Sequence, residues 1–191
     1  MKHFMVDLET LDTGPDALVL SVGIVEFDLE NNKLGAELYV ELNAPNVMNQ
    51  QTECGRVVSE ATVQWWAAQS QEARTLFDKG FGNRVTDLHE GLREISDFIW
   101  TQSTQDIDNV KIWGNGAAFD NVILRNLYKA AGMNAPWKFY NDRCFRTMKN
   151  LPGARNLAPK FDGVPHNALD DAFNQTTHLL EIYKKCLAHT Q

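Results

Sequence analysis

The first forty residues carry apolar positions at strand spacing. His3 to Leu8 is short and apolar, Leu18 to Phe27 is a β-branched run, and Leu34 to Leu42 alternates apolar with polar positions. Thr13-Gly14-Pro15 and Asn31-Asn32 break the chain between these runs, which predicts an antiparallel meander of three strands. The period then shifts to that of helices. One opens at Ser59-Glu60-Ala61-Thr62 and runs through Trp65 and Trp66. A second, Asp87 to Thr101, carries Leu88, Leu92, Ile95 and Ile99 on one stripe, and a third, Phe119 to Ala131, ends before Gly132. Asn109 to Trp113 and Trp137 to Tyr140 are predicted strands, and the last helix spans about Asn167 to Ala188. The polar stretch from Asn43 to Ser59 reads as the longest loop.

Three strands, then helices, then alternating strand and helix predict an α/β fold with a mixed sheet covered by helices. Residues 1–191 have the length of one domain, and 43% hydrophobic with 23% charged residues is an ordinary globular composition. Cys54, Cys144 and Cys186 are odd in number and form no C-x-x-C, which favours reduced structural thiols over a zinc site or a disulfide frame. No apolar run suits a signal peptide or a membrane span, so the expectation is a soluble cytoplasmic protein.

The net charge of −7 argues against binding nucleic acid by bulk positive charge. The distribution is uneven, however. From Lys138 to Lys160 six basic residues face one acid, a local net of +5, which leaves −12 for the rest. Such a segment can steer a phosphate backbone, or it can be a solvated face.

The acids keep apolar company: Asp7 and Glu9 in FMVDLET, Asp120 in GAAFDNVIL, Asp171 in HNALDDAF. Asp7 and Glu9 stand two apart on a predicted strand, so both leave the same face. Two such carboxylates repel unless one is protonated or a cation lies between them. Gathered together, the four would address hard divalent cations. Asp170 rivals Asp171, being one helical turn from His166, but Pro165 places His166 before the helix and favours Asp171. Singly, each of these residues reads as a cap, a turn or a surface charge.

Their order is more specific. D-x-E on the first strand, F-D opening a helix after a strand, and H-x-A-x-x-D near the C-terminus resemble the three motifs of the DnaQ-like 3′→5′ exonucleases of DEDDh type. The resemblance covers nearly the whole chain, and Thr62-Val63-Gln64-Trp65-Trp66 places it beside the compact phage and bacterial DexA-like enzymes. The first motif continues as T-L-D-T-G and the second lacks a His-Asn pair; neither departure touches a matched acid.

The resemblance implies a ribonuclease H-like fold and a metal-dependent exonuclease acting on single-stranded 3′ ends of DNA or RNA, with DNA favoured. It implies two Mg2+ or Mn2+ ions, one held by Asp7, Glu9 and Asp171, the other by Asp7 and Asp120, with His166 as general base. Substrate contacts are expected at Thr10, at Leu11 wedged against the terminal base, at a stacking Phe119, and at Trp66. Arg143 and Arg146 would meet phosphates. A homodimer without a membrane partner completes the expectation. Cleavage of RNA at the same site and a catalytically silent nucleic-acid-binding module are the alternatives.

Overall fold

β1 (Lys2–Thr10) is the central strand of a five-stranded sheet of order β3-β2-β1-β4-β5. β2 (Val19–Asp28) and β3 (Lys33–Glu41) continue from it as the predicted antiparallel meander. β4 (Val110–Gly114) and β5 (Asp142–Cys144) add to the other side in parallel. The chain is seen in a computed structural model that describes residues 1–78, 80, 82 and 84–187. Its helices are α1 (Pro45–Glu53), α2 (Glu60–Ala67), α3 (Gln71–Asp78), α4 (Leu88–Gln102), α5 (Asp120–Ala130), α6 (Phe145–Lys149) and α7 (Ala168–Ile182). A π turn, Tyr183–Leu187, follows α7. No helix of the described residues is long and apolar enough to cross a membrane.

Strand alternation decides where the acids point. Phe4, Val6 and Leu8 enter one core with Leu92 and Ile95 of α4 and Leu124 and Leu127 of α5. Met5 enters the opposite core, with Phe145 of α6 and Ala172 and Leu179 of α7. Asp7 and Glu9 follow the parity of Met5 and therefore leave the sheet toward α7. Gly23, paired with Asp7, lets α7 close on this face: a Cβ there would lie 2.2 Å from the backbone of Ala168.

Local capping sets the helix starts. The Asp87 side chain accepts from the Glu90 N–H at the start of α4, and Asn167 accepts from Leu169 and Asp170 at the start of α7. Gly132, at φ 69°, follows α5 as expected.

Two expectations are corrected. Trp137 to Tyr140 forms no strand; Phe139–Asn141 is a 3-10 turn, and the pairing strand is β5. Phe139 is 69% exposed, whereas the Trp137 indole is buried and donates to Asp142 Oδ1 at 2.9 Å. The aromatic run is thus an anchor and a surface, with no strand partner. The segment from Asn43 to Ser59 contains α1, begun by Pro45 at its first turn and held by a buried Gln51. Gln51 accepts from Val19 N–H at 2.9 Å and donates to Val19 and Leu42 carbonyls. Tertiary hydrogen bonds of Gln51, together with Val47 buried in the main core, stabilise that helix. Helices α3 and α6 are also absent from the sequence expectation. Cys54 and Cys144 are free thiols. The expected helix end at Ala188 and the side chains of Cys186 and Leu187 lie outside the described residues.

Candidate active site

At the carboxyl end of β1 a cavity of about 590 Å3 opens between β1, α2, the β4–α5 turn and the start of α7. Asp7, Glu9, His166 and Asp171 line it. Asp7 and Glu9 come from β1 by alternation. Asp171 lies one turn into α7, where its N–H bonds the Asn167 carbonyl. Asp120 opens α5, beside the point where β4 runs parallel to β1 and Val6 pairs Gly114. A Cβ at Gly114 would come within 2.8 Å of Asp120 Cβ, so glycine is what lets this carboxylate approach the strand.

The electrostatics are those of crowded like charges. Burial, then Asp120, Glu9 and Asp171, hold the Asp7 carboxyl well above its usual range, with a hydrogen bond from Gln175 opposing. Burial, Asp171 and Asp120 do the same to Glu9. Burial lifts Asp120 to about 7 against the N–H groups of Asp120, Leu8 and Asn115 and the charge of Arg146. Burial also raises Asp171. Asp120 Oδ2 is buried with no hydrogen-bond partner. An orphaned buried carboxylate oxygen among three further acids is a donor set for a divalent cation, because only protonation or a cation relieves the repulsion. The residues fit that group.

His166 stands before α7, as Pro165 implies, at a left-handed φ of 67°. Its N–H donates to Asp171 Oδ2 at 2.9 Å. One ring nitrogen lies within 4.8 Å of carboxylate oxygens of both Glu9 and Asp171, so the ring faces the acids. Trp65 meets this ring edge-on at 5.0 Å between centroids, and Trp66 does so at 6.0 Å. Asp170 turns elsewhere: its Oδ2 accepts from Val164 N–H.

The expected substrate contacts divide. Thr10, Phe119 and Trp66 line the cavity. Trp66 is only 2% exposed and donates to the Thr10 carbonyl at 2.9 Å, while Trp65 is 45% exposed and lines the same cavity. Leu11 is absent from this lining; it packs in a separate core with Leu18, Leu20 and Trp66. The Arg146 guanidinium lies beside Gly116, at the β4–α5 turn. Arg143 points to the other end of β1, bonding the Tyr140 and Asp142 carbonyls and acting on His3.

Sequence reasoning missed Gln175 and Asn115. Gln175 donates to Asp7 Oδ1 at 2.6 Å. It lies four residues after Asp171, on the same face of α7, a spacing that would have found it. Asn115 lines the cavity and sits in the Gly-Asn-Gly that ends β4.

A family model described as the 3′–5′ exoribonuclease Rv2179c-like domain matches residues 2–183. The chain is 28% identical over 168 residues to an exodeoxyribonuclease of Enterobacteria phage T4, spanning 77% of this chain and 70% of that protein. The nuclease domain of 3′hExo, a DEDDh family member bound to rAMP, superposes with a TM-score of 0.62 at 12% identity, covering 96% of this chain and 92% of that one. The E. coli ExoI–ssDNA complex in its zinc-bound form gives 0.63 at 13% identity, covering 97% of this chain but 41% of that one. At such identities the structural likeness speaks for the fold, which is the ribonuclease H-like fold of DEDDh exonucleases. The match over residues 2–183 speaks for more: the chain belongs to the Rv2179c-like 3′–5′ exoribonuclease domain family and is a 3′–5′ exonuclease.

Proposed function

We propose that the protein hydrolyses the terminal phosphodiester at the 3′ end of single-stranded DNA, using two divalent cations, magnesium or manganese, and His166 as general base. The observation that carries this reading is the gathering of Asp7, Glu9 and Asp171 in one cavity with Asp120 buried beside them, and the His166 ring turned toward Glu9 and Asp171. All-oxygen donors favour these hard ions over zinc. Asp7, Glu9 and Asp171 would hold one ion and Asp7 with Asp120 the other. Ions so bound supply Lewis-acid stabilisation of the charge that develops on the phosphate and on the departing 3′ oxygen.

The chain's own groups do the rest. One imidazole nitrogen of His166 accepts the proton of the attacking water. The Asp171 carboxylate anchors the backbone that carries this imidazole. Gln175 orients Asp7. Trp65, Trp66 and Phe119 supply apolar walls for a nucleobase.

DNA is favoured by the likeness to the phage exodeoxyribonuclease. A second reading, RNA, is favoured by the description of the matching family and by the hydroxyls of Thr10, Thr13, Ser59 and Thr62 in the cavity wall, which suit a 2′-OH. Incubation with 3′- and 5′-labelled DNA and RNA oligonucleotides, with and without magnesium, tests both. Faster shortening of DNA from its 3′ end, only with the ion present, is the expected result; faster RNA cleavage transfers the proposal to RNA, and chelator-resistant cleavage overturns the metal mechanism. The expected homodimer is checked on the same sample by light scattering.

A further inference from the structure

A smaller chamber of about 230 Å3 adjoins the acid cavity, and the two share Asn115, Asp171 and Gln175 in their walls. Phe145 and Lys149 of α6 and Phe161 also line it. Lys149 supplies positive charge there, and the shared Asp171 negative charge. Its Nζ donates to Asn115 Oδ1 at 2.8 Å and lies 5.4 Å from the centroid of the Phe145 ring. Arg146, one turn earlier, lays its guanidinium against the β4–α5 turn, 3.4 Å from where a Cβ on Gly116 would stand. Arg155 follows, bonded to Asn150 Oδ1.

None of the ion pairs among the described residues involves Arg146, Lys149 or Arg155. Lys149 instead feels its own burial and then the repulsion of Arg146 and Arg155, which hold its amine below the ordinary lysine value despite the opposing fields of Cys144 and Asp7. A lysine on a solvated face would extend into water and away from like charges. This one is half-buried and pinned by Asn115 at the edge of the catalytic cavity, with Asp171 in the shared wall but no ion-pair partner among the described residues. Such an arrangement costs folding energy unless an anion completes it.

We infer that the chamber is a phosphate subsite, in which Lys149, oriented by Asn115 and supported by Arg146, binds a phosphate of the nucleic acid beside the one being cleaved. The inference rests on the exonuclease reading and adds Lys149 to its substrate contacts. Two sources offer the same non-bridging oxygens: a phosphodiester of the strand, or the monoester of the released nucleotide.

The test compares the wild type with Lys149→Met, which keeps the apolar stem over Phe145, and Lys149→Arg, which keeps the charge. Steady-state cleavage of a single-stranded oligonucleotide is followed across a salt series, with product inhibition by a nucleoside 5′-monophosphate. If the strand's diester is held, the Met variant raises KM about tenfold with kcat within about twofold, and its log KM against log salt loses about 0.7 of slope, the value of one phosphate contact on a single strand. The Arg variant stays near wild type. A rise in the inhibition constant of the monophosphate with an unchanged salt slope assigns the chamber to the monoester. KM, slope and inhibition constant all unchanged, or a fall in kcat alone, overturns the subsite. Thermal melting checks that the Met variant folds; if it does not, Lys149→Gln is read the same way. An inactive wild type would sink the exonuclease reading itself, whereas an active wild type matched by the Met variant sinks only the subsite.

Discussion

The backbone N–H of His166 donates to Asp171 Oδ2 at 2.9 Å, so one of the four acids also anchors the loop that carries the proposed base. The proposed metal ligation and base placement would therefore be mechanically linked through a single carboxylate. Asp171→Asn should lose more than either function alone, with kcat/KM falling at least a thousandfold, ~4 kcal/mol of transition-state stabilisation. Asp7→Ala should be comparably inactive with its fold intact, as judged by circular dichroism. Wild-type activity in the Asp7 variant would remove the catalytic assignment.

His166→Ala separates base from ligand. A general base contributes about a hundredfold to ten-thousandfold, so kcat should fall in that range while magnesium affinity by calorimetry stays near normal. Because the ring nitrogen lies within 4.8 Å of Glu9 and Asp171 oxygens, the opposite outcome is also specific: lost metal binding would make His166 a ligand.

Gln175→Leu should weaken metal binding about ten- to hundredfold, the usual penalty for deleting a group that orients a ligand. The cause is loss of the 2.6 Å bond that fixes Asp7. Activity should be recovered in part at high magnesium. A variant with unchanged magnesium dependence would leave Gln175 a packing residue only.

The raised carboxyls make the metal-free protein sensitive to pH. Asp120, at about 7 when folded against an ordinary 3.8, binds its proton more tightly in the native than in the unfolded chain. Between those values the native state holds the extra proton, so stability falls as pH rises through that window. Asp7 and Glu9 shift in the same direction. The Tm of chelated protein should therefore drop between pH 5 and 7, and added magnesium should raise Tm far more at pH 8, where Asp120, at about 7, has given up its proton. A flat Tm across that range would contradict the clustering.

The two adjacent tryptophans should behave oppositely. Trp66, buried and bonded to the Thr10 carbonyl, should cost about 3–5 kcal/mol of stability as Trp66→Ala. Trp65, exposed and packed edge-on against His166, should cost less than about 1 kcal/mol as Trp65→Ala and instead lower the turnover rate. Equal losses of stability in the two variants, by urea titration, would refute the distinction.

Patterns of period two and 3.6, together with caps, determined the β1–β3 meander, the starts of α4 and α7, and the order of the four acids and the histidine, because those features depend on neighbours within a few residues. Trp137 to Tyr140 and the stretch containing α1 escaped that logic, since Trp137 and Gln51 are placed by distant hydrogen bonds. The candidate site divides in the same way. Asp7 and Glu9 were legible from alternation and Asp171 from the placement of His166 before a helix. Only the folded chain brings Gln175 to Asp7 across 168 residues, sets Lys149 on Asn115, buries Leu11 and Trp66, and sends Arg143 to the far end of β1. Those contacts follow from strand register and helix docking, which place residues by the packing of whole elements, and apart from the spacing of Gln175 from Asp171 no local pattern records them.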